Sequence, residues 1–401
     1  DGDEMNLHIP QNEEARAEAE VLMLVQSHII TPKNGLNIMG CVDVAIVGNY
    51  LLTKKLELSK EEAVSLLLSI GVDNPKRFSG FKERVHGREV FSSILPDDFD
   101  FIGNSRDETA VVIKKGMLIS GHIDKASIGE ENGSLIRSLY ANYNENIGID
   151  ILNKMFRLGI EVLFRHGFTT AISDTDLPDK TRNKIESLKQ EAELEVEKLI
   201  SNYRSGKLEA NPGFSELDTL EAEIVGVLNK VRNAIGNEVL GIADEKNPTI
   251  VMSQSGAKGN ILNLAQMAAC VGQQALRGRR VNKGYSDRTL SIFSPGDLSP
   301  KAHGFIRNGF KHGLNPYEYF FGAMTGRDSL MDVALRTPKS GYLYRRLSNA
   351  LQDLRVEYDN TVRDANKTII QFIYGEDGVD VSKSEGGKIN IKKIIKEILN
   401  K

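Results

Sequence analysis

The chain opens on Asp1-Gly2-Asp3-Glu4, which sets two carboxylates two residues apart around a glycine. Glycine admits a turn that aims both at one point, and carboxylate oxygens arranged in that way suit a hard cation such as Mg2+. Short acidic turns are also common as solvated features, so this stretch alone leaves both readings open. A second candidate is Ser255-Gly256-Ala257-Lys258-Gly259, a glycine-rich turn carrying one lysine at the start of a helix. Such a turn can face a phosphate through its positive charge and free backbone amides, and it can equally be an ordinary loop. The third is a ladder of cations, Arg327, Arg336, Lys339, Arg345 and Arg346, on a segment whose other side carries Leu330, Met331, Ala334 and Leu335. A ladder of this kind neutralises phosphates where it faces a nucleic acid and is a solvated helix face where it does not. His8, the histidine nearest the acidic pair, reads as a residue that packs or caps locally.

The elements that must position these groups follow from periodicity. Ala15, Ala19, Leu22 and Val25 recur at helical spacing and predict one helix over Glu13–His28. Residues 40–130 alternate β-branched runs, Val42–Val47 and Val111–Ile113 among them, with glycines, and predict a mixed α/β region of short strands and loops. Two amphipathic helices, 180–204 and 216–240, flank the break Asn211-Pro212-Gly213. They should fold back as an antiparallel hairpin, with Ile185, Leu188 and Val196 against a stripe from Leu217 to Ile235. Further helices are expected over Asn260–Leu276, from about Pro316 to Leu354, and at the lysine-rich end Ile391–Leu399. Within the helix from about Pro316 to Leu354, Pro338 has no amide hydrogen to give Ala334, and Ser340 and Gly341 follow at once, so a local break is expected there, with the helix bent or unwound.

The 401 residues, 40% of them hydrophobic, can bury real cores, and a net charge of −4 carries no overall signature of nucleic-acid binding. Cys41 and Cys270 lie far apart, which argues against a disulfide framework or a structural zinc site and predicts two small core residues in a reducing cytoplasm. There is no apolar run of membrane-spanning length and no signal sequence, so the expectation is a soluble, intracellular protein cut at residue 1.

Several of these segments together resemble the largest subunit of multisubunit DNA-directed RNA polymerases. Asp1-Gly2-Asp3-Glu4-Met5-Asn6-Leu7-His8 is similar to that family's magnesium-binding signature. Ser255–Gly259 with Gln266–Gln274 is similar to its funnel region beside the nucleotide entry route, and Gly313–Leu347 to its bridge helix. Phe372–Asp380 again resembles the family. The departures are Gly322-Ala323-Met324-Thr325-Gly326-Arg327-Asp328-Ser329, where the family commonly has His-Ala-Met-Gly-Gly-Arg-Glu-Gly, and Pro338, where it commonly has alanine.

The resemblance implies an α+β fold: the end of the active-site barrel region over 1–43, a mixed α/β pore region over 44–160, and a helical funnel over 161–305 that contains the hairpin 180–240. A cleft region over 306–401 would carry the long bridge helix at about 316–354. It places the chain in the C-terminal part of an archaeal A-prime-type polypeptide, stopping before the trigger loop. It implies template-directed nucleotidyl transfer from NTPs to the RNA 3′ end with two Mg2+ ions. One ion would be held by Asp1, Asp3 and an upstream aspartate, and the other would arrive with the triphosphate. Lys258 would meet the nucleotide's phosphates, while Arg327, Arg336, Thr337, Tyr342, Arg345 and Arg346 would lie along nucleic acid. The implied partners are the second-largest subunit, the polypeptide carrying the trigger loop, other polymerase subunits, template DNA, RNA and NTPs, in the cytoplasm at the nucleoid and without a membrane. Two rivals stand beside this reading: a Mg2+-dependent phosphohydrolase using the acidic pair, and a non-enzymatic helical scaffold.

Overall fold

The computed structural model describes residues 2–242, 247–282, 284–384, 386–388, 391, 395 and 398. The helix expected over Ile391–Leu399 therefore lies largely outside the described residues. The chain forms two compact units, one of Asp1–Phe168, Val251–Lys258 and Gly375–Lys401, the other of Thr169–Ile250 and Gly259–Tyr374. The α+β expectation holds: helices dominate, and every named strand pairing is antiparallel.

In the first unit, helix α1 (Glu13–Leu22) starts where the Asn12 side chain accepts a hydrogen bond from the Ala15 amide, 2.7 Å away, with two glutamates in its first turn. It buries no residue and stops six residues short of the expected end, giving way to a 3-10 turn over Val25–His28. A helix this short with no packed face has little besides propensity to extend it. Helix α2 (Asp43–Lys54) corrects the expectation of a strand at Val42–Val47. A short β-branched run does not by itself distinguish strand from buried helix, and here burial against another helix decides.

Strand β1 (Glu57–Ser59) leads into α3 (Lys60–Ser69) through a capping box. In it the Ser59 amide donates to Glu62 at 2.9 Å and the Glu62 amide to Ser59 Oγ at 3.3 Å. Strand β2 (Arg84–His86) pairs with β1 and is followed by α4 (Gly87–Ser92). Strands β3 (Phe101–Asn104), β4 (Ala110–Lys114) and β5 (Met117–Ser120) form a meander, so the predicted strand at Val111–Ile113 is present. Helices α5 (Lys125–Ile128), α6 (Ser134–Asn142) and α7 (Glu145–His166) follow. Its core runs from Cys41 and Val47 through Phe91 and Ile113 to Met155.

Helices α2 and α7 cross with almost no side chain between them. A Cβ on Gly48 would lie 1.9 Å from the Gly159 carbonyl oxygen, and one on Gly159 would lie 2.2 Å from the Ala45 oxygen. Asn49, fully buried, donates to the Ala45 and Met155 carbonyls at 2.8 Å each and bolts the crossing together.

In the second unit, α8 (Asp179–Arg204) and α9 (Glu216–Ile242) form the expected hairpin. Lys184, near the start of α8, pairs at 2.6 Å with Glu238, near the end of α9, which fixes the pair as antiparallel. Ile185, Ala192, Val196 and Ile200 pack on Leu220, Ile224, Leu228 and Ile235. Leu217, expected to open that stripe, is 45% exposed, and Leu220 opens it instead. Helix α10 (Pro248–Ser255) comes next along the chain and from Val251 belongs to the first unit, and α11 (Ile261–Ala268) is again in the second. Helix α11 is shorter than the predicted Asn260–Leu276, because Gly272 takes a positive φ of 89°. There the backbone turns into β6 (Gly272–Gln273) and the small hairpin of β7 (Ala275–Leu276) and β8 (Arg279–Arg280).

Strand β9 (Phe305–Ile306) pairs with β6 and leads to α12 (Pro316–Leu351), a single 36-residue helix. Pro338 sits inside it and the helix continues through it, so the chain does not unwind there. One missing amide removes one hydrogen bond, and the turns on either side remain formed. Side-chain hydroxyls add bonds at this place, Thr337 to the Val333 carbonyl at 2.8 Å and Ser340 to the Thr337 carbonyl at 3.2 Å. Strands β10 (Arg355–Val356), β11 (Val362–Arg363) and β12 (Ile369–Gln371) close the unit.

The crossing of α2 and α7 generates a direct test. Gly159→Ala is expected to destabilise the first unit by about 3 kcal/mol, the upper end of the overpacking range, because the obstructing atoms are backbone and cannot rotate away. A urea unfolding midpoint unchanged from wild type would contradict that packing.

Candidate functional site

Asp1 lies outside the described residues. Residues 2–11 precede α1 without regular helix or strand, and Asp3 is exposed among them. Gly2 has a φ of 95° with open space around the position of a Cβ, which is the turn freedom that the paired carboxylates require. Among the described residues no group of three or more His, Cys, Asp or Glu side chains gathers as a metal site. Of the two carboxylates that the sequence offers to a hard cation, Asp3 is the one among the described residues.

The glycine-rich turn is built as the sequence suggested. Gly256 and Gly259 take φ values of 77° and 78°, and Lys258 stands between them with its side chain 75% exposed and its Nζ 3.5 Å from Asp43 Oδ2. An exposed pair at that distance contributes little to stability and leaves the ammonium available to a stronger anion. Two cations that sequence reasoning missed border the turn. A Cβ on Gly256 would lie 2.5 Å from Arg106 Nη1 and 2.9 Å from Lys125 Cβ.

Arg106 is held in place at both ends, its Nη1 donating to the Ser253 carbonyl at 2.9 Å and its amide to Asp124 Oδ2 at 2.6 Å. Burial raises the pKa of Asp124, against the amide hydrogen bonds that it accepts. Nearby, burial lowers the pKa of His122. Asp107 is also lowered, to about 2: burial opposes the shift, and hydrogen bonds from Ser105 and Thr109 with the charge of His122 outweigh it. No local pattern marks Arg106, which reaches the turn across 147 residues of chain.

The basic ladder lies on α12, in the other unit. From Ser329 to Leu351 every residue of that helix is exposed, apolar and charged alike. Leu330, Leu335 and Leu343 are 68%, 70% and 57% exposed. Among the described residues, these apolar side chains therefore have little cover. Arg336 pairs with Asp332 at 2.8 Å one turn back, and the Arg346 guanidinium lies 5.6 Å from the centroid of the Tyr342 ring. Arg327 and Arg277 line a cavity of about 740 Å³ with Phe320, Met324 and Met331, and Asp328 pairs with Arg277 at 3.7 Å across it. Asp3 and Lys258 thus belong to one unit, and Arg327, Arg336, Thr337, Tyr342, Arg345 and Arg346 share one face-exposed helix in the other. Both cysteines are core residues, their thiols pushed by burial up to about 12 at Cys41 and about 11 at Cys270, which leaves them unreactive. No helix among the described residues is long and apolar enough to cross a membrane.

Family models for RNA polymerase Rpb1 match the chain consecutively: domain 2 at residues 1–25, domain 3 at 28–175, domain 4 at 200–306 and domain 5 at 313–396. The chain belongs to the family of RNA polymerase largest subunits. It is similar to DNA-directed RNA polymerase subunit Rpo1N of Halobacterium salinarum, 43% identical over 410 positions that cover 100% of this chain and 42% of that protein. The same subunit of Methanocaldococcus jannaschii is 42% identical, over 99% of this chain and 31% of its own length. That of Thermococcus celer is 41% identical, over 100% and 48%. The chain thus spans less than half the length of these curated relatives. They correspond to the N-terminal part of the archaeal largest subunit, so the chain is assigned to that part, and the expectation of a C-terminal part is corrected.

A helix exposed at every residue from Ser329 to Leu351, with a proline inside it, has little to hold it closed. In the chain by itself, its amides are expected to exchange with solvent at least about 100-fold faster than those of the packed hairpin α8 and α9, a difference of roughly 3 kcal/mol in opening free energy. Hydrogen exchange read by mass spectrometry checks this, and equal protection of the two regions would contradict it.

Proposed function

We propose that this chain is the catalytic-centre portion of the largest subunit of an archaeal-type DNA-directed RNA polymerase, acting in template-directed transfer of nucleotides to the RNA 3′ end. The observation that carries the reading is the consecutive order of Rpb1 domains 2 to 5 along its length, at 43% identity to a polymerase subunit. The exposed helix supports it independently, since a face of leucines and arginines this long calls for partners of both kinds, protein and nucleic acid.

In this reading Asp1 and Asp3, with an aspartate from upstream, hold the catalytic Mg2+. That ion, with a second brought by the nucleotide, supplies charge neutralisation on the attacking and leaving oxygens. The residues of the chain do the rest. Lys258, with Arg106 and Lys125 beside its turn, offers positive charge to the triphosphate. Arg327, Arg336, Arg345 and Arg346 neutralise backbone phosphates, and Thr337 and Tyr342 lie against the template base and strand. We place the active-site end at 1–43, the pore region at 44–160, the funnel at 161–305 and the cleft region at 306–401, and call α12 the bridge helix. The partners are the second-largest subunit, the polypeptide with the trigger loop, the remaining subunits, template DNA, RNA and NTPs, in the cytoplasm at the nucleoid.

A polymerase assembled with Asp3→Ala is expected to form the same subunit complex and to make no RNA, its activity falling by at least about a thousandfold on the loss of a metal ligand. Normal RNA synthesis by that complex would contradict the assignment. Mg2+-dependent hydrolysis of nucleotides by this chain alone would favour the phosphohydrolase instead.

A further inference from the structure

The root of α12 is organised around one buried carboxylate. Glu318 is 1% exposed, and its two oxygens accept four hydrogen bonds. Oε1 takes the amides of Arg307 at 3.0 Å and Asn308 at 3.4 Å. Oε2 takes Asn308 Nδ2 at 2.9 Å and the Asn315 amide at 2.9 Å. The last of these is the familiar half of a capping box, satisfying the amide just before the helix. The other three are not part of any helix cap. They tie the first turn of α12 to the residues that leave β9, and through Arg307 to the hairpin, because the guanidinium of Arg307 pairs with Glu186 and Glu193 on α8.

What this fastening controls follows from the length of the helix. Its only buried residues are Glu318 and Phe321, the latter stacked on Phe293 at 6.2 Å. Everything from Ser329 outward is cantilevered from that root. Thr337 lies about 28 Å along the axis from Glu318, so a tilt of ~5° at the root displaces it by roughly 2.5 Å. Misplacement of a reacting partner by ~1 Å is enough to cost on the order of 100-fold in rate.

Resting on the polymerase reading above, we propose that Glu318 is a positioning residue for nucleotide addition. It sets the direction of α12 by accepting all four donors at once, and so fixes where the template-facing residues stand. A glutamine there keeps the size and the neutral half of the contacts, but turns an NH2 group toward two of the four donors, Asn308 Nδ2 and the Asn315 amide or their counterparts on Oε1. Two facing donors force the root to rearrange.

The test is single-nucleotide addition on a defined template and primer scaffold by the complete polymerase, assembled from the full-length subunit carrying Glu318→Gln. The expected result is a kcat lower by about tenfold or more with the KM for the nucleotide within about twofold of wild type. Exonuclease footprints of the stalled complex should shift in register as well, and Glu318→Asp, which keeps the charge, should recover part of the rate. Asn308→Ala removes one side-chain donor and leaves the carboxylate, and should show a smaller fall of the same kind; it decides the matter if Glu318→Gln fails to assemble. Variants that assemble in lower yield and then show wild-type kcat and footprints would make Glu318 a residue of folding alone and overturn the proposal, with the polymerase reading intact. A raised KM at unchanged kcat would overturn it equally. A wild-type assembly that adds no nucleotide would overturn the polymerase reading, and this proposal with it.

Discussion

The carboxylate of Glu318 accepts three hydrogen bonds from Arg307 and Asn308, the residues that leave β9, and one from Asn315 at the start of α12. Everything that the second unit presents on that helix depends on this fastening. A buried charge is tolerable only when its lone pairs are filled, and here four donors fill them without a lysine or arginine side chain in the set. The arrangement converts a helix that has no core of its own into a directed arm of about 54 Å. The exposed leucines along that arm then read as surface kept for other chains, since the same residues on a free monomer would promote aggregation.

The hairpin is the counterpart of the arm. Its core is ordinary amphipathic packing, and its polar contacts tie it to the strands that carry the helix root. Lys189, almost fully buried, donates at 2.9 Å to the Ala269 carbonyl at the end of α11, where the helix dipole favours a cation. Arg280, 1% exposed, meets both oxygens of Glu221 at 2.7 and 2.6 Å, which locks the β7 and β8 hairpin onto α9. Arg307 completes the set between α8 and the helix root. Arg280 and Arg307 on acids of the hairpin, and Lys189 of the hairpin on the end of α11, thus link these elements of the second unit by polar contacts.

Much of this was legible in the sequence where local rules govern. The hairpin followed from apolar spacing and an Asn-Pro-Gly break, and α12 from its periodicity; its capping pattern of Asn315, Pro316 and Glu318 was readable in the same way. The errors fell where tertiary burial outweighs local preference. Val42–Val47 is β-branched yet helical, because Gly48 lets α7 approach and the helix gains more by packing than its residues lose in propensity. Leu217 matched the apolar stripe but lies beyond the end of the partner helix's buried face. Pro338 kept its helix because the loss of one amide in a long helix is a local cost.

Of the candidate site, the residue types were legible and the surroundings were not. Lys258 stood out by its flanking glycines, whereas Arg106 and Lys125 reach that turn from more than 100 residues away and share no motif with it. The leucines of α12 stand at helical spacing among its arginines, and only the structure puts them in the open. A sequence pattern distinguishes apolar from polar; it does not say whether the apolar side is covered by the same chain or by another.

The central claim is that α12 faces nucleic acid in an assembled polymerase. The most direct measurement replaces Tyr342 with a photo-crosslinking phenylalanine derivative and irradiates an elongation complex carrying end-labelled template, non-template and RNA strands. The account predicts a crosslink to the template strand near the growing RNA end, moving by one nucleotide with each nucleotide added. Labelling confined to protein subunits, or a position on DNA that does not advance with the RNA, would contradict it.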